Sequence, residues 1–315
     1  MIEKAVRFGP ERTLVGVWSE PEEPVPSDDR VVVVMVNSGI IHHVGAWRLY
    51  VRLARALAGV GVASLRFDLS GVGDSGYALE AESLNASVLR DMDHAIAYVR
   101  DTRGWPRVVM SGLCSGAVDA IQAASSHHAV VGVVAIDLLA DFRNWRHHAV
   151  RYGSRLLRWE SWKNTLLGRN GTLSAWLRAT VGRRAGGPDT VGTSSVDGGR
   201  RPLTRQETHG TVGSIVARGT DVLFAFSAGL EHNYNHRGQF AGVFPDLAAD
   251  PRITVMFFPD ADHTFSDRAQ QRALIEAAVD WTAGRFGPHR RRGAPGPGST
   301  DRVATELPLS SLRDS

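Results

Sequence analysis

Cysteine is nearly absent from this chain: Cys114 is the one cysteine among 315 residues. A single cysteine excludes an intramolecular disulfide and any thiolate-rich metal site. Long hydrophobic runs are also missing, since no apolar stretch approaches the ~20 residues that a membrane-spanning helix needs. The N-terminus lacks the apolar core of a signal peptide as well. These absences lead us to expect a cytoplasmic protein with no membrane partner.

The chain also lacks a large excess of positive or negative charge. The 36 Lys and Arg residues nearly balance the 33 Asp and Glu residues, which gives a formal net charge of +3 at pH 7. No long basic stripe alternates with aromatic residues, so nucleic acid is not an expected partner. The hydrophobic content of 43% is that of an ordinary globular protein. A chain of this length can bury a large core, as one large domain or two small ones.

Short apolar runs alternate with segments of helical periodicity along most of the chain. An opening hairpin is predicted at 3–19, and the strands predicted after it are 31–36, 62–67, 108–110, 130–136, 222–226 and 253–258. Strands that alternate with helices favour the α/β class, with a mostly parallel central sheet covered by helices on both faces.

The stretch RVVMSGLCSGAVDAI, residues 107–121, predicts a strand that turns directly into a helix. Such a turn strains the backbone of its central residue, so the residues two before and two after it have to be small. Gly112 and Gly116 flank Cys114 in this way, whereas a leucine would flank Ser115. The pattern therefore predicts Cys114 as a nucleophile, in a G-x-C-x-G form of the nucleophile elbow.

A thiol nucleophile needs a base and hydrogen-bond donors for the developing oxyanion. His263 follows the last predicted strand, where the chain order nucleophile, acid, histidine requires the base. We expect the donors to be the backbone N–H groups of Ser115, next to the nucleophile, and of Ile40, in the loop after strand 31–36.

The third member of a catalytic triad has two candidates. The usual position is the loop after strand 222–226, where Glu231 is the nearest carboxylate and our first choice. Asp137, at the end of strand 130–136, is the alternative, since some hydrolases place the acid there. A Cys–His pair can also act without a strong acid, because a thiol ionises more readily than a hydroxyl.

We expect no metal and no cofactor. His232 and His236 are spaced to share one helix face, but no further metal ligands accompany them. The segment GVGDSG, residues 71–76, matches the dinucleotide fingerprint G-x-G-x-x-G. Residues 77–82 separate it from the next predicted helix, however, and the chain is still helical from residue 90 onward, where the fingerprint requires a strand that ends in an acid.

The sheet pattern stops between about 141 and 210. Residues 185–202, rich in Gly, Ser, Thr and Asp, are expected to form a mobile loop, and Trp and Arg residues interleave from 141 to about 184. This composition favours amphipathic helices, so we predict a helical cap inserted after the sixth strand, above the elbow. Residues 1–285 then form one domain that includes the cap. Residues 286–315 are rich in Pro, Gly, Arg and Ser, which is typical of a flexible tail.

Three segments resemble α/β-hydrolases of the serine aminopeptidase or acyl-hydrolase type: GAWRLYVRLARALAGVGVASLRFDLSGVGDSG, SGLCSGA and DADHTFSDRA. More narrowly, they are similar to the exosortase A system-associated hydrolases, which also carry a G-L-C elbow. The resemblance implies the α/β-hydrolase fold, with Cys114 as nucleophile and His263 as base. This chain departs from that group at Leu230, where the group tends to carry Asp, and Glu231 follows one residue later.

These features predict an enzyme that cleaves an ester, thioester or lactone through an acyl-thioenzyme. The expected partner is a small-molecule acyl substrate, free or bound to a carrier protein or CoA. Basic residues of the predicted cap suit an anionic or phosphopantetheine-bearing substrate, although charge runs are often only solvated: Arg143, Arg146, Arg151, Arg155 and Arg158. Two alternatives stay open, namely an acyltransferase or cyclase that acts on a carrier-bound intermediate, and a non-catalytic hydrolase-like binding protein.

Overall fold

The computed structural model describes residues 1–26, 30–77, 83–156, 201–230 and 233–287. Its strands are β1 Ile2–Phe8, β2 Leu14–Glu20, β3 Val31–Val36, β4 Ala63–Phe67, β5 Arg107–Leu113, β6 Val130–Ile136, β7 Asp221–Ser227 and β8 Ile253–Phe258. They form one sheet in the order β1-β2-β4-β3-β5-β6-β7-β8. The pairs β1–β2 and β2–β4 are antiparallel, and the strands from β4 to β8 pair in parallel.

The described helices are α1 Leu49–Gly59, α2 Leu84–Ala97, α3 Ser115–Ser126, α4 Trp145–Leu156, α5 Arg205–Ala217, α6 Gln239–Val243, α7 Pro245–Ala249 and α8 Arg268–Phe286. Side chains that accept hydrogen bonds from free N–H groups start several of them. Ser83 caps α2, Thr204 forms a capping box with Glu207 at α5, and Asp267 caps α8. Within the described ranges, no helix combines the length and the apolar character that crossing a bilayer requires.

Apolar side chains form a separate core on each face of the sheet. Strand β3 shows why, because all six of its residues are buried and their side chains alternate between the two faces. Val32, Val34 and Val36 join a core that includes residues of α2, α3 and α5. Val31 and its alternate neighbours join a second core with α1 and α8. The predicted mostly parallel sheet with helices on both faces is confirmed.

The predicted cap lies largely outside the described residues, which omit 157–200. Helix α4 lies inside the predicted insertion. Helix α5 crosses its predicted end at about 210 and buries Val212, Ile215 and Val216 in the core on its face of the sheet. The extent of the cap therefore stays a prediction. The same holds for the flexible tail, since the structure describes nothing beyond residue 287.

Two glycines allow close packing where β5 turns into α3. A Cβ atom on Gly112 would lie 2.2 Å from the backbone carbonyl of Gly116. A Cβ atom on Gly116 would lie 2.5 Å from the backbone oxygen of Asn37, just after β3. Both contacts are with backbone atoms, so a side chain at either position would force the strand–helix turn apart.

Substituting Gly112 with alanine is expected to lower the free energy of unfolding by about 2 kcal/mol or more, because the added methyl group overpacks fixed backbone. The matched control is Gly210→Ala in α5, where a Cβ meets nothing within 4 Å. That variant should gain about 0.5–1 kcal/mol from reduced chain entropy in the unfolded state. Urea unfolding followed by circular dichroism measures both, and an unchanged G112A stability would contradict the close packing.

Candidate active site

Cys114 occupies the apex of the turn between β5 and α3. Its backbone angles, φ 57° and ψ −115°, are unusual for a residue with a side chain. Its N–H donates to the Ile136 carbonyl of β6 (2.9 Å), and the residue is 4% exposed. The surrounding structure thus holds a strained residue in place, as is frequent at functional sites. The predicted elbow has the geometry expected from its glycine spacing.

His263 lies in the loop after β8. Its Nδ1 atom donates to Oδ2 of Asp137 (3.0 Å), and its ring is also in hydrogen-bond contact with Cys114. Asp262 shapes the loop by accepting hydrogen bonds from the backbone and side chains of Thr264 and Ser266. Three side chains from the carboxyl ends of β5, β6 and β8 therefore meet at one edge of the sheet.

Asp137 is fully buried and directly follows β6, with a positive φ of 46°. Its carboxylate accepts hydrogen bonds from the N–H and from the hydroxyl of Ser227, each at 2.6 Å, in addition to the one from His263. A buried charge is costly unless it is paired and hydrogen-bonded. These three donors supply that compensation.

The charge state of His263 follows from its neighbours. Burial lowers the pKa of the imidazole, but the hydrogen bonds and electrostatic interactions with Asp137 and Cys114 raise it from 6.5 to about 10. The ring is therefore an imidazolium at neutral pH, placed between a buried carboxylate and a sulfur atom.

Of the two candidate acids, the structure places Asp137 against His263. Glu231, the first choice, lies outside the described residues. The loop after β7 contributes Ser227, which holds the Asp137 carboxylate, and Gly229, where an added Cβ would lie 2.1 Å from the backbone nitrogen of His263. Sequence reasoning missed Ser227. Only the parallel pairing of β6 with β7 in the folded sheet brings it next to Asp137, because the ends of both strands then lie side by side.

The two predicted oxyanion donors lie on segments that touch. Ser115 is the first residue of α3, and Ile40 lies in a turn closed by the N–H of Ile41 donating to Ser38 (2.9 Å). The N–H of Gly39 donates to the Ser115 hydroxyl oxygen (2.9 Å). The Ile40 side chain is 70% exposed. That the N–H groups of Ser115 and Ile40 bind an oxyanion stays a prediction.

Hydrogen bonds with the segment after β4 hold the loop that carries Ile40 in place. The Asn37 amide donates to the Ile41 carbonyl and accepts from the Leu69 N–H, both at 2.7 Å. Further along, the N–H and Nδ1 of His43 both contact the buried carboxylate of Asp68, at 2.6 and 2.7 Å. Hydrogen bonds thus fix the loop at both of its ends.

His43, Asp68 and Asp74 each bring one potential metal-ligand atom within 4.8 Å of the others. The Asp68 oxygens already accept four hydrogen bonds, from the Asn37 amide, the Asp74 N–H and two His43 groups. The clustering is explained by these bonds, and we assign no metal to it. For the His232 and His236 hypothesis, His232 lies outside the described residues.

The predicted basic surface is described only in part. The Arg143 side chain pairs with Asp141 (3.0 Å), which Arg205 also approaches (3.5 Å). Arg146 lies over the exposed Trp145 ring. The side chains of the other three arginines of the predicted cap lie outside the part of the chain that the structure describes. An anionic substrate for this surface stays a prediction.

A mostly parallel eight-stranded sheet with a nucleophile elbow after the fifth strand and a histidine loop after the last is the α/β-hydrolase fold. The comparisons agree with this. A family model described as serine aminopeptidase, S33, matches residues 28–167, a range that contains Cys114 but not His263. Residues 28–167 thus resemble that family, and the chain as a whole has the α/β-hydrolase fold.

Solved structures with this fold include a lidless α/β serine hydrolase from Xanthomonas campestris, the proline iminopeptidase of Mycobacterium smegmatis and an esterase from Pyrococcus furiosus. Their sequence identities with this chain are 16%, 16% and 14%, and the TM-scores are 0.52, 0.54 and 0.55. The alignments cover 93%, 89% and 90% of this chain and 97%, 97% and 91% of theirs. At such identities the likeness establishes the fold alone. No curated protein sequence matches the chain significantly.

Replacing Asp137 with asparagine removes the carboxylate that faces Nδ1 of His263. We expect the pKa of His263 to fall from about 10 toward 6.5, because the negative charge that favours the imidazolium is lost. NMR titration of the ring measures this pKa. The control is Asp93→Asn, which removes the carboxylate facing His127 instead (2.6 Å). An unchanged His263 titration in D137N would refute the assignment of this contact.

The raised pKa of His263 also makes the free energy of unfolding depend on pH. The folded-state pKa of His263 lies above its unfolded value, so the imidazolium contributes stability that is fully present below pH 6.5 and is lost as the pH rises toward 10. The difference in free energy of unfolding between wild type and D137N should therefore shrink over this range. Urea unfolding at several pH values measures it, and a difference that grows with pH would contradict the pairing.

Proposed function

We propose that this α/β-hydrolase cleaves an ester, thioester or lactone with Cys114 as nucleophile, through an acyl-thioenzyme. The observation that carries the proposal is the continuous contact from Asp137 through His263 to Cys114 at the apex of the elbow. The order of roles is nucleophile, base and orienting acid, as in other hydrolytic triads. Asp137 takes the role of the acid, which the sequence left open between two residues.

In the first step, the Cys114 thiolate attacks the carbonyl carbon of the substrate and forms a carbon–sulfur bond. The His263 imidazolium gives its proton to the departing oxygen or sulfur atom as the bond to it breaks. The product is an acyl group held on Cys114 as a thioester. Asp137 holds the ring by its Nδ1 atom, which leaves Nε2 for this proton transfer.

In the second step, neutral His263 takes a proton from water, and the water oxygen attacks the thioester carbon. The carbon–sulfur bond breaks, the carboxylic acid leaves, and the thiolate–imidazolium pair is restored. The N–H groups of Ser115 and Ile40 would bind the oxyanion in both steps. Donors of this kind are among the largest contributions to catalysis by hydrolases.

Support for sulfur rather than oxygen as the nucleophile is specific to this chain. The matching family model and the similar Xanthomonas campestris structure are described as serine enzymes. Here Cys114 occupies the apex, and a histidine with a raised pKa lies beside it. The G-L-C elbow that resembles exosortase A system-associated hydrolases supports the same assignment. A cytoplasmic location is part of the proposal, because the lone thiol stays reduced there.

Intact-mass spectrometry after incubation with activated esters and acyl thioesters tests the proposal. Wild type should gain the mass of one acyl group, and Cys114→Ala should gain none. His263→Gln should be acylated roughly 100-fold or more slowly, since general acid–base catalysis contributes about 10²–10⁴ in rate. His127→Gln, which breaks a similar His–carboxylate pair elsewhere, should behave as wild type. Equal acylation of C114A would exclude Cys114 as the nucleophile.

A thiol-alkylating probe separates the enzyme from a hydrolase-like binding protein. Fast labelling of Cys114 that depends on His263 supports the enzyme, because alkylation requires the thiolate. Labelling that is slow in wild type and unaffected by H263Q would support a binding protein. If the acyl adduct persists in water and is discharged only by an added alcohol, amine or thiol, the reaction is acyl transfer.

A further inference from the structure

The two proposed oxyanion donors belong to different parts of the chain. The Ser115 N–H lies on the elbow, and the Ile40 N–H lies on the loop after β3. The parallel pairing of β3 with β5 ends at Val36 and Gly112, so the sheet does not set the spacing of the segments beyond them. Other contacts have to set it, since donors act only within about 2.7–3.1 Å of the oxyanion.

The Ser115 hydroxyl supplies one of these contacts. Its oxygen accepts a hydrogen bond from the N–H of Gly39 at 2.9 Å, although the two residues are 76 positions apart in sequence. Gly39 immediately precedes Ile40 and has a positive φ of 54°. Ser115 is 2% exposed, so water competes little for this bond. The hydroxyl thus ties the elbow directly to the peptide next to the second donor.

The Tyr50 hydroxyl supplies a second contact between the two segments. It donates to the carbonyl of Val36 (2.9 Å) and accepts from the N–H of Leu113 (3.0 Å). These are the last residues of β3 and β5, where the oxyanion loop and the elbow begin. Burial raises the pKa of the Tyr50 phenol well above its ordinary value, so the group keeps its proton and can donate.

We propose that the Ser115 and Tyr50 hydroxyls are positioning groups that hold the oxyanion loop and the elbow at the separation their two N–H donors require. The inference rests on the proposed function, because it concerns the site that stabilises the tetrahedral oxyanion. Ser115 then has two roles, since its N–H faces the oxyanion and its hydroxyl fixes the neighbouring donor.

Two reactions of Cys114 distinguish this role from general damage to the site. Acylation by an activated ester passes through a tetrahedral oxyanion and needs the donors. Alkylation by iodoacetamide displaces iodide directly at carbon, forms no oxyanion and needs only the thiolate. In Ser115→Ala, kcat for acylation should fall about tenfold, less than the 10²–10³ lost with a donor itself, while KM changes by less than about threefold. The alkylation rate should stay within about twofold of wild type.

The matched control is Ser111→Ala, which deletes the same atoms from β5 three residues before the nucleophile. The Ser111 hydroxyl is buried and has no hydrogen-bond partner among the described residues, so acylation and alkylation should both be unchanged. Tyr50→Phe removes the second bridge independently and should also slow acylation selectively. Circular dichroism shows whether each variant is folded.

Selective loss of acylation in S115A and in Y50F, with S111A unaffected, supports the inference. Wild-type acylation rates in both folded variants, or acylation and alkylation lost in equal proportion, would overturn it. Failure of the proposed function gives a different result, because wild type itself would then show no acylation of Cys114. If Y50F does not fold, S115A alone decides the outcome.

Discussion

The candidate site depends on one buried charge. The Asp137 carboxylate is fully removed from solvent, and an unpaired charge in that position would cost several kcal/mol. Two hydrogen bonds from Ser227 and one from His263 compensate for this burial. The end of β7 and the loop after β8 are thereby joined through the end of β6. The imidazolium is the countercharge in this arrangement. The same ion pair therefore sets the charge state of His263 and stabilises the buried carboxylate at this edge of the sheet.

Strain and close packing are concentrated at the same edge. Cys114 and Asp137 both have positive φ angles, and both directly follow strands of the central sheet. The left-handed backbone region disfavours residues with side chains, so both conformations have to be maintained by their surroundings. Strands β5 and β6 and the small residues of the elbow provide those surroundings. Cys114 and Asp137 are therefore held by the buried central strands of the sheet, and the proposed function requires such a preorganised arrangement.

Local patterns made part of this predictable. The spacing of Gly112 and Gly116 indicated a turn with Cys114 at its apex, and alternation of apolar runs indicated a mostly parallel sheet. The position of His263 after the last strand followed from chain order. Chain order could not decide between Asp137 and Glu231 as the acid. Each follows a buried strand, and the sequence alone does not give the distance from either carboxylate to the imidazole. The bonds of Ser227 and Tyr50 were missed for the same reason, since each joins segments that only tertiary structure brings together.

The close approach of Gly229 to the backbone of His263 has a mechanical consequence. Two main-chain segments in van der Waals contact, with no side chain between them, cannot slide independently without opening a gap or a clash. We therefore expect the peptide after β7 and the loop of His263 to move together, since the hydrogen bonds between Ser227 and Asp137 also hold this edge of the sheet.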